Sequence, residues 1–158
     1  MSLVLANVDP AFARQQYDAL RTNFVDYNWG IPAGREYPHG VNGASDVDSG
    51  PLVLGFSGPA SVLGAGAAIA NGDDSLASTL LATIEMVGMP FELGGGRQYA
   101  GGYLPVGDGF LAWARSAPPP PGAVYETIIP PGWRLMIHAI SLLLAGALVF
   151  ATLGGRRF

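Results

Sequence analysis

The residues best suited to chemistry crowd one stretch of this chain. Arg35, Glu36, Tyr37 and His39 are followed by Asp46, Asp48 and Ser49, so three carboxylates, an imidazole, a guanidinium and a phenol fall within 15 residues. Paired carboxylates can divide the roles of acid and base when their environments separate their pKa values. Asp46 and Asp48 are spaced to lie on one side of an extended backbone. Gly50 and Pro51 then turn the chain toward an apolar segment, whose helical N-terminus would favour a nearby carboxylate in its ionised form. Tyr99, Tyr103 and Asp108 occupy a second glycine-rich connection and are expected to line the same cavity as Arg35, Glu36, Tyr37 and His39. The competing expectation is purely architectural: Asp46 and Asp48 cap the next helix and bind loop amides, and Arg35 pairs with one of them to fix the loop.

Other chemistries fit less well. The Asp46-x-Asp48 pair resembles the metal-binding DxD of sugar-nucleotide transferases, but no nucleotide-binding α/β pattern surrounds it. An EF-hand would need a terminal Glu where Ser57 stands. Ser49 lacks the strand-turn-helix elbow of a hydrolase nucleophile. The two histidines, His39 and His138, are far apart, and the second lies in a strongly apolar run, so a zinc site is not expected. The run from Gly94 to Gly96 is too short for a phosphate loop. No cofactor motif is present, and no cofactor or metal is expected.

The elements that must position these residues are mainly helical. Asp9 followed by Pro10 is a helix start, a carboxylate cap with proline in the first turn. Ala13, Tyr17, Leu20 and Phe24 then form one face, predicting a helix over about residues 10–26. Residues 27–50 read as a long irregular loop. A thin, small-residue helix over residues 60–70 follows a break at Ser57, Gly58 and Pro59. Its glycines and Pro59 make it a poor second membrane span. Asn71 and Gly72 end it, and Asp73 or Asp74 caps the next helix, whose apolar face is Leu76, Leu80, Ile84 and Val87, with Thr83, ending at Gly88. Residues 90–103 read as a glycine-rich connection. Pro105 opens a helix carrying Phe110, Leu111 and Trp113, with Trp113 expected in the core. The prolines at 118–121 and 130–131 bracket a semi-rigid stalk. The expected organisation is a helical soluble domain over residues 1–116, a stalk over 117–131 and a membrane anchor over 132–158.

The anchor is the clearest of these expectations. Residues 135–153 contain no Asp, Glu, Lys or Arg. A helix of that length spans roughly 30 Å, the hydrocarbon thickness of a bilayer. Trp133 and Arg134 flank one end, and Arg156 and Arg157 the other. The chain has no lysine, so this arginine pair is its densest basic cluster, and the positive-inside rule puts that end in the cytoplasm. The preceding domain then faces outward across a bacterial inner membrane. Residues 1–10 do not form a signal peptide, and residues 2–8 read like the tail of a helix. The chain is therefore expected to be the C-terminal part of something larger, or to be exported with another membrane subunit.

The formal net charge of −4 and the scattered arginines exclude a nucleic-acid-binding stripe. With no cysteine there are no disulfides or thiolate metal sites.

Two stretches carry a family resemblance. They are Arg35-Glu36-Tyr37-Pro38 with Asp46-Val47-Asp48-Ser49-Gly50-Pro51-Leu52-Val53-Leu54-Gly55, and Leu104-Pro105-Val106-Gly107-Asp108-Gly109-Phe110. With the small-residue helix and Asn71-Gly72-Asp73 between them, residues 9–116 resemble the closing hairpins of bacterial six-hairpin (α/α) toroid proteins. These include glycoside hydrolases, polysaccharide lyases and the linalool dehydratase-isomerase type. The resemblance implies a fold of helical hairpins with Asp46 and Asp48 facing a cavity. The chain has too few helices for a complete toroid, so another chain or a second copy is expected to cover the inner helices. Two functions follow as expectations: a membrane-anchored accessory subunit of a larger complex, or a fragment of a toroid enzyme using Asp46 and Asp48 as acid and base.

Overall fold

The computed structural model describes residues 2–44, 52, 55–103, 105–127 and 129–154. The chain divides into two units, Met1–Ile128 and Ile129–Phe158. The first holds five helices and two β-hairpins among the described residues, and the second holds one long helix. Mainly helical architecture was the expectation, and it holds.

In the first unit a short helix α1 (Ser2–Leu5) runs into α2 (Pro10–Phe24). Asp9 caps α2 by accepting a hydrogen bond from the Phe12 N–H at 3.0 Å, with Pro10 in the first turn, as its sequence requires. Ala13 and Tyr17 are buried, Leu20 packs against the core, and Phe24 is half-buried.

Here the structure departs from the sequence reading. The start of the supposed irregular loop is a β-hairpin, β1 (Val25–Asn28) and β2 (Ile31–Gly34), with Asn28 opposite Ile31. Its two-residue turn, Trp29 and Gly30, has left-handed φ at both positions, +52° and +80°, as tight hairpin turns of the I′ family need. Glycine tolerates that geometry, whereas a tryptophan there is strained by about 1–3 kcal/mol. Trp29 is also 75 % exposed, so packing does not offset the strain. Trp29→Asn is expected to stabilise the unit by about 1 kcal/mol, because Asn is the preferred non-glycine residue in this turn. A rise in the urea midpoint of the detergent-solubilised chain would register it.

The hairpin is held against α3 (Gly58–Ala70). Ser57 caps α3, accepting from the Ala60 N–H at 3.2 Å, and its own N–H donates to the Gly34 carbonyl at 2.9 Å. Ser61 Oγ accepts from the Gly34 N–H at 2.9 Å and donates to the Ser57 carbonyl at 2.8 Å. Strand and helix approach so closely that a Cβ on Gly34 would lie 2.6 Å from the Ala60 carbonyl carbon and 2.7 Å from the Ser61 nitrogen. Both are backbone atoms and cannot swing aside. Gly34→Ala is therefore expected to cost about 3 kcal/mol, the upper range for overpacking. An unchanged melting curve would refute this contact.

Helix α3 touches α1, α2, β2, α4 and α5 and is buried on nearly every side. Small residues make this possible: a Cβ on Gly64 would already meet Leu80 Cδ1 at 3.5 Å. An all-round apolar helix must be a core helix or a membrane span, and burial of α3 within the unit decides for the core.

Asn71 and Gly72 close α3, and Asp73 caps α4 (Asp74–Gly88) by accepting from the Leu76 N–H at 3.1 Å. The same carboxylate accepts from the buried Tyr17 hydroxyl at 2.6 Å and lies 3.3 Å from Arg21, tying α2 to the α3–α4 corner. Burial, then the bond to Asp73, pushes the Tyr17 phenol well above its ordinary range. The core side of α4 is Leu76, Ala77, Leu80 and Leu81; Val87, assigned to that face from its spacing, is exposed. Thr83, placed on the same face by its spacing, is buried and donates to the Pro32 carbonyl at 3.0 Å.

The glycine-rich connection is a second hairpin, β3 (Phe91–Leu93) and β4 (Gly96–Gln98), turning at Gly94 and Gly95 with positive φ. A 3-10 turn (Ala100–Gly102) leads to α5 (Pro105–Arg115), which buries Leu111 and Ala114. Trp113, expected in the core, is half-exposed. The proline-rich segment packs on the first unit: Ala117 is buried, Tyr125 lies against the core, and the Val124 N–H donates to Asp74 at 2.9 Å.

The second unit is α6 (Pro131–Gly154). Its window Leu135–Thr152 has a mean hydropathy of 2.2 and none of it is buried. By length and composition α6 can cross a membrane.

Candidate functional site

The two hairpins place two groups of ionisable side chains. The first contains the residues singled out from the sequence. β1 carries Asp26, and Arg35 follows β2 directly. Arg35 Nη1 lies 3.4 Å from Asp26 Oδ2, and its Nε donates to the Tyr37 carbonyl at 3.2 Å. Its backbone N–H donates to the Phe24 carbonyl at 2.7 Å. His39 Nε2 is 3.2 Å from the Val25 carbonyl, which can only accept, so that nitrogen carries the proton. The other ring nitrogen stands 3.9 Å from Asp26 Oδ2. Tyr37 donates its hydroxyl to the Ala44 carbonyl at 2.9 Å, and its ring fills the space beside Gly43. Glu36 is half-buried. Asp46, Asp48 and Ser49 lie outside the described residues. Among the described residues Arg35 finds its carboxylate in Asp26, a partner the sequence reading did not consider. Arg35 and His39 thus fold the segment after β2 back onto β1, and Tyr37 closes that segment on itself.

The second group is more tightly organised and centres on Glu85 of α4, whose side chain is 6 % exposed. Arg97 of β4 donates to its Oε2 at 2.6 Å. The Tyr99 hydroxyl donates to its Oε1 at 2.7 Å, and Arg115 at the end of α5 donates to the same oxygen. Arg115 Nη1 also reaches the Tyr99 hydroxyl at 3.0 Å, and both guanidinium groups stand 5.9 Å from the centre of the Tyr99 ring. Asp108, in the first turn of α5, accepts from the Tyr99 N–H at 3.0 Å. Tyr99 presses so closely on α4 that a Cβ at Gly88 would meet its ring at 2.8 Å. Tyr103 is exposed, with its ring over Gly101.

Burial by itself would raise the Glu85 pKa. The hydrogen bonds from Tyr99 and Arg115 and the charges of Arg115 and Arg97 outweigh it and hold the carboxyl below its ordinary range. Burial and the bond to Glu85 push the Tyr99 phenol up. Burial opposes the charge on Arg115, but the bond to Glu85 prevails and raises its pKa. Glu85 therefore stays ionised, with both oxygens occupied by guanidinium and phenol donors. Such a carboxylate is not placed to shuttle protons; it clamps α4, β4 and α5 together.

Of the residues expected to line the cavity, Tyr99 and Asp108 join this second group and Arg35, Tyr37 and His39 form the first. Glu85, Arg97 and Arg115 escaped the sequence reading. The signal was available: Glu85 stands four residues after Leu81 on the face that α4 buries, and a charge there needs partners. Among the described residues no group of three or more His, Cys, Asp or Glu side chains is arranged to hold a metal ion. No family model, curated protein or solved structure matches the chain.

Proposed function

We propose that this chain is a membrane-anchored accessory subunit of a larger bacterial membrane complex, with its helical unit outside the cytoplasm. One observation carries the reading: α6 offers an 18-residue apolar window of which nothing is buried, a surface that lipid or other membrane helices would cover. Arg156 and Arg157 favour a cytoplasmic position for that end under the positive-inside rule.

The polar clusters support a structural rather than a catalytic role. Glu85, Asp73 and Asp26 spend their oxygens on arginine, tyrosine and backbone partners within the unit. The sequence resemblance of residues 9–116 to toroid hairpins implies a unit that another chain completes.

Extraction from the native membrane in mild detergent, followed by sizing and mass measurement, tests the proposal. A stoichiometric assembly with other subunits is expected. A free chain or small homo-oligomer would overturn it and direct attention to Asp46 and Asp48 as the acid and base of a toroid-like enzyme. Protease protection of the helical unit in intact spheroplasts would overturn the outward orientation alone.

A further inference from the structure

Helix α5 is apolar over more of its circumference than the first unit covers. Leu111 and Ala114 are buried against the core. Beside them Val106, Phe110 and Trp113, spaced four and three residues apart, make a second stripe that is 71 %, 49 % and 44 % exposed. Tyr103, just ahead of the helix, is exposed as well. The two charged residues of α5 are already occupied, Asp108 by the Tyr99 N–H and Arg115 by Glu85, so the stripe itself carries no charge to dehydrate. A helix face of Trp, Phe and Val next to a Tyr has the composition of an interfacial segment.

The length of chain argues for what covers it. Tyr125 packs on the core of the first unit, and α6 begins at Pro131. The six steps of chain from Tyr125 to Pro131 reach at most about 22 Å even when fully extended. If α6 crosses a bilayer, the first unit is held at that bilayer's surface, at high effective concentration for any apolar stripe it exposes. The acidic balance of the chain, formally −4, favours zwitterionic over anionic headgroups.

We propose that the outer stripe of α5, Val106, Phe110 and Trp113 with Tyr103, rests in the headgroup zone of a zwitterionic lipid surface. The inference rests on the membrane-anchored reading of α6 and adds a second, peripheral contact to it.

The test uses the full chain with Trp29→Phe and Trp133→Phe, which leaves Trp113 as the sole tryptophan. It is reconstituted into phosphatidylcholine vesicles, plain or brominated high on the acyl chains, and checked for unchanged circular dichroism. The expected result is that the chain floats with both kinds of vesicle and that bromine quenches Trp113 by roughly half or more. Adding Val106→Asp and Phe110→Asp should restore the emission while flotation persists through α6. Equal emission in plain and brominated vesicles from a floating chain overturns the inference. If Trp113 is then also shielded from aqueous iodide, with crosslinked dimers present, a second copy covers the stripe instead. Failure to float overturns the anchored reading and this inference together.

Discussion

Glu85→Ala is expected to cost the helical unit a large share of its stability, about 3–5 kcal/mol. The carboxylate bonds Arg97, Tyr99 and Arg115 at once, and these come from β4, the segment after it and the end of α5. Removing one member of a buried ion pair leaves its partners charged without compensation and costs about 3–5 kcal/mol. A domain of this size has only about 5–15 kcal/mol in total, and Arg97, being half-exposed, can recover some solvation. Loss of protection in hydrogen exchange over α5 and the second hairpin should come first. Glu85→Gln, which keeps the shape and loses the charge, should fall between wild type and Ala. A wild-type melting curve for Glu85→Ala would show that the cluster contributes nothing to stability.

The same group sets an acid limit. The folded-state pKa of Glu85 lies below its unfolded value, so its stabilisation is complete above the ordinary glutamate range of about 4.3. It is lost as pH falls through the folded value. Stability should therefore drop below about pH 4 in wild type, and less steeply in Glu85→Gln.

Leu143→Lys combined with Leu144→Lys is expected to release the chain from membranes. Both side chains are exposed and sit at the middle of the apolar window. A lysine at the centre of a spanning helix costs about 2.5–3.5 kcal/mol, so two move the insertion equilibrium by several orders of magnitude. Carbonate-washed membranes should retain wild type and lose the double variant. The core of the first unit should keep its exchange protection in the released chain, because the hydrophobic cluster it buries is built from its own residues. Retention of the double variant would refute a membrane-crossing α6 and make α6 an apolar helix covered by protein.

Much of this molecule was legible in the chain because the forces concerned act over a few residues. Asp9 with Pro10, Ser57 with Pro59, and Asp73 start helices through bonds to amides three residues ahead. The small residues of α3 announce a helix built for close approach, and the hydropathy of α6 is a property of its own side chains. What the chain did not disclose needed a second element to exist. Four-residue and three-residue strands have too few positions to display an alternating pattern, so β1–β2 and β3–β4 read as loops. Spacing put Val87 on the core side of α4 and Trp113 in the core of α5. Both sit at apolar positions, and only the placement of α3 decided which apolar residues would be covered. Reactive side chains near one another in sequence, Arg35, Glu36, Tyr37 and His39, drew attention to one loop. The strongest polar centre was assembled from Glu85, Arg97, Tyr99 and Arg115, separated by up to 30 residues. Local free energies are written in neighbouring residues. Burial and charge compensation are not, because they depend on which distant surface displaces the water.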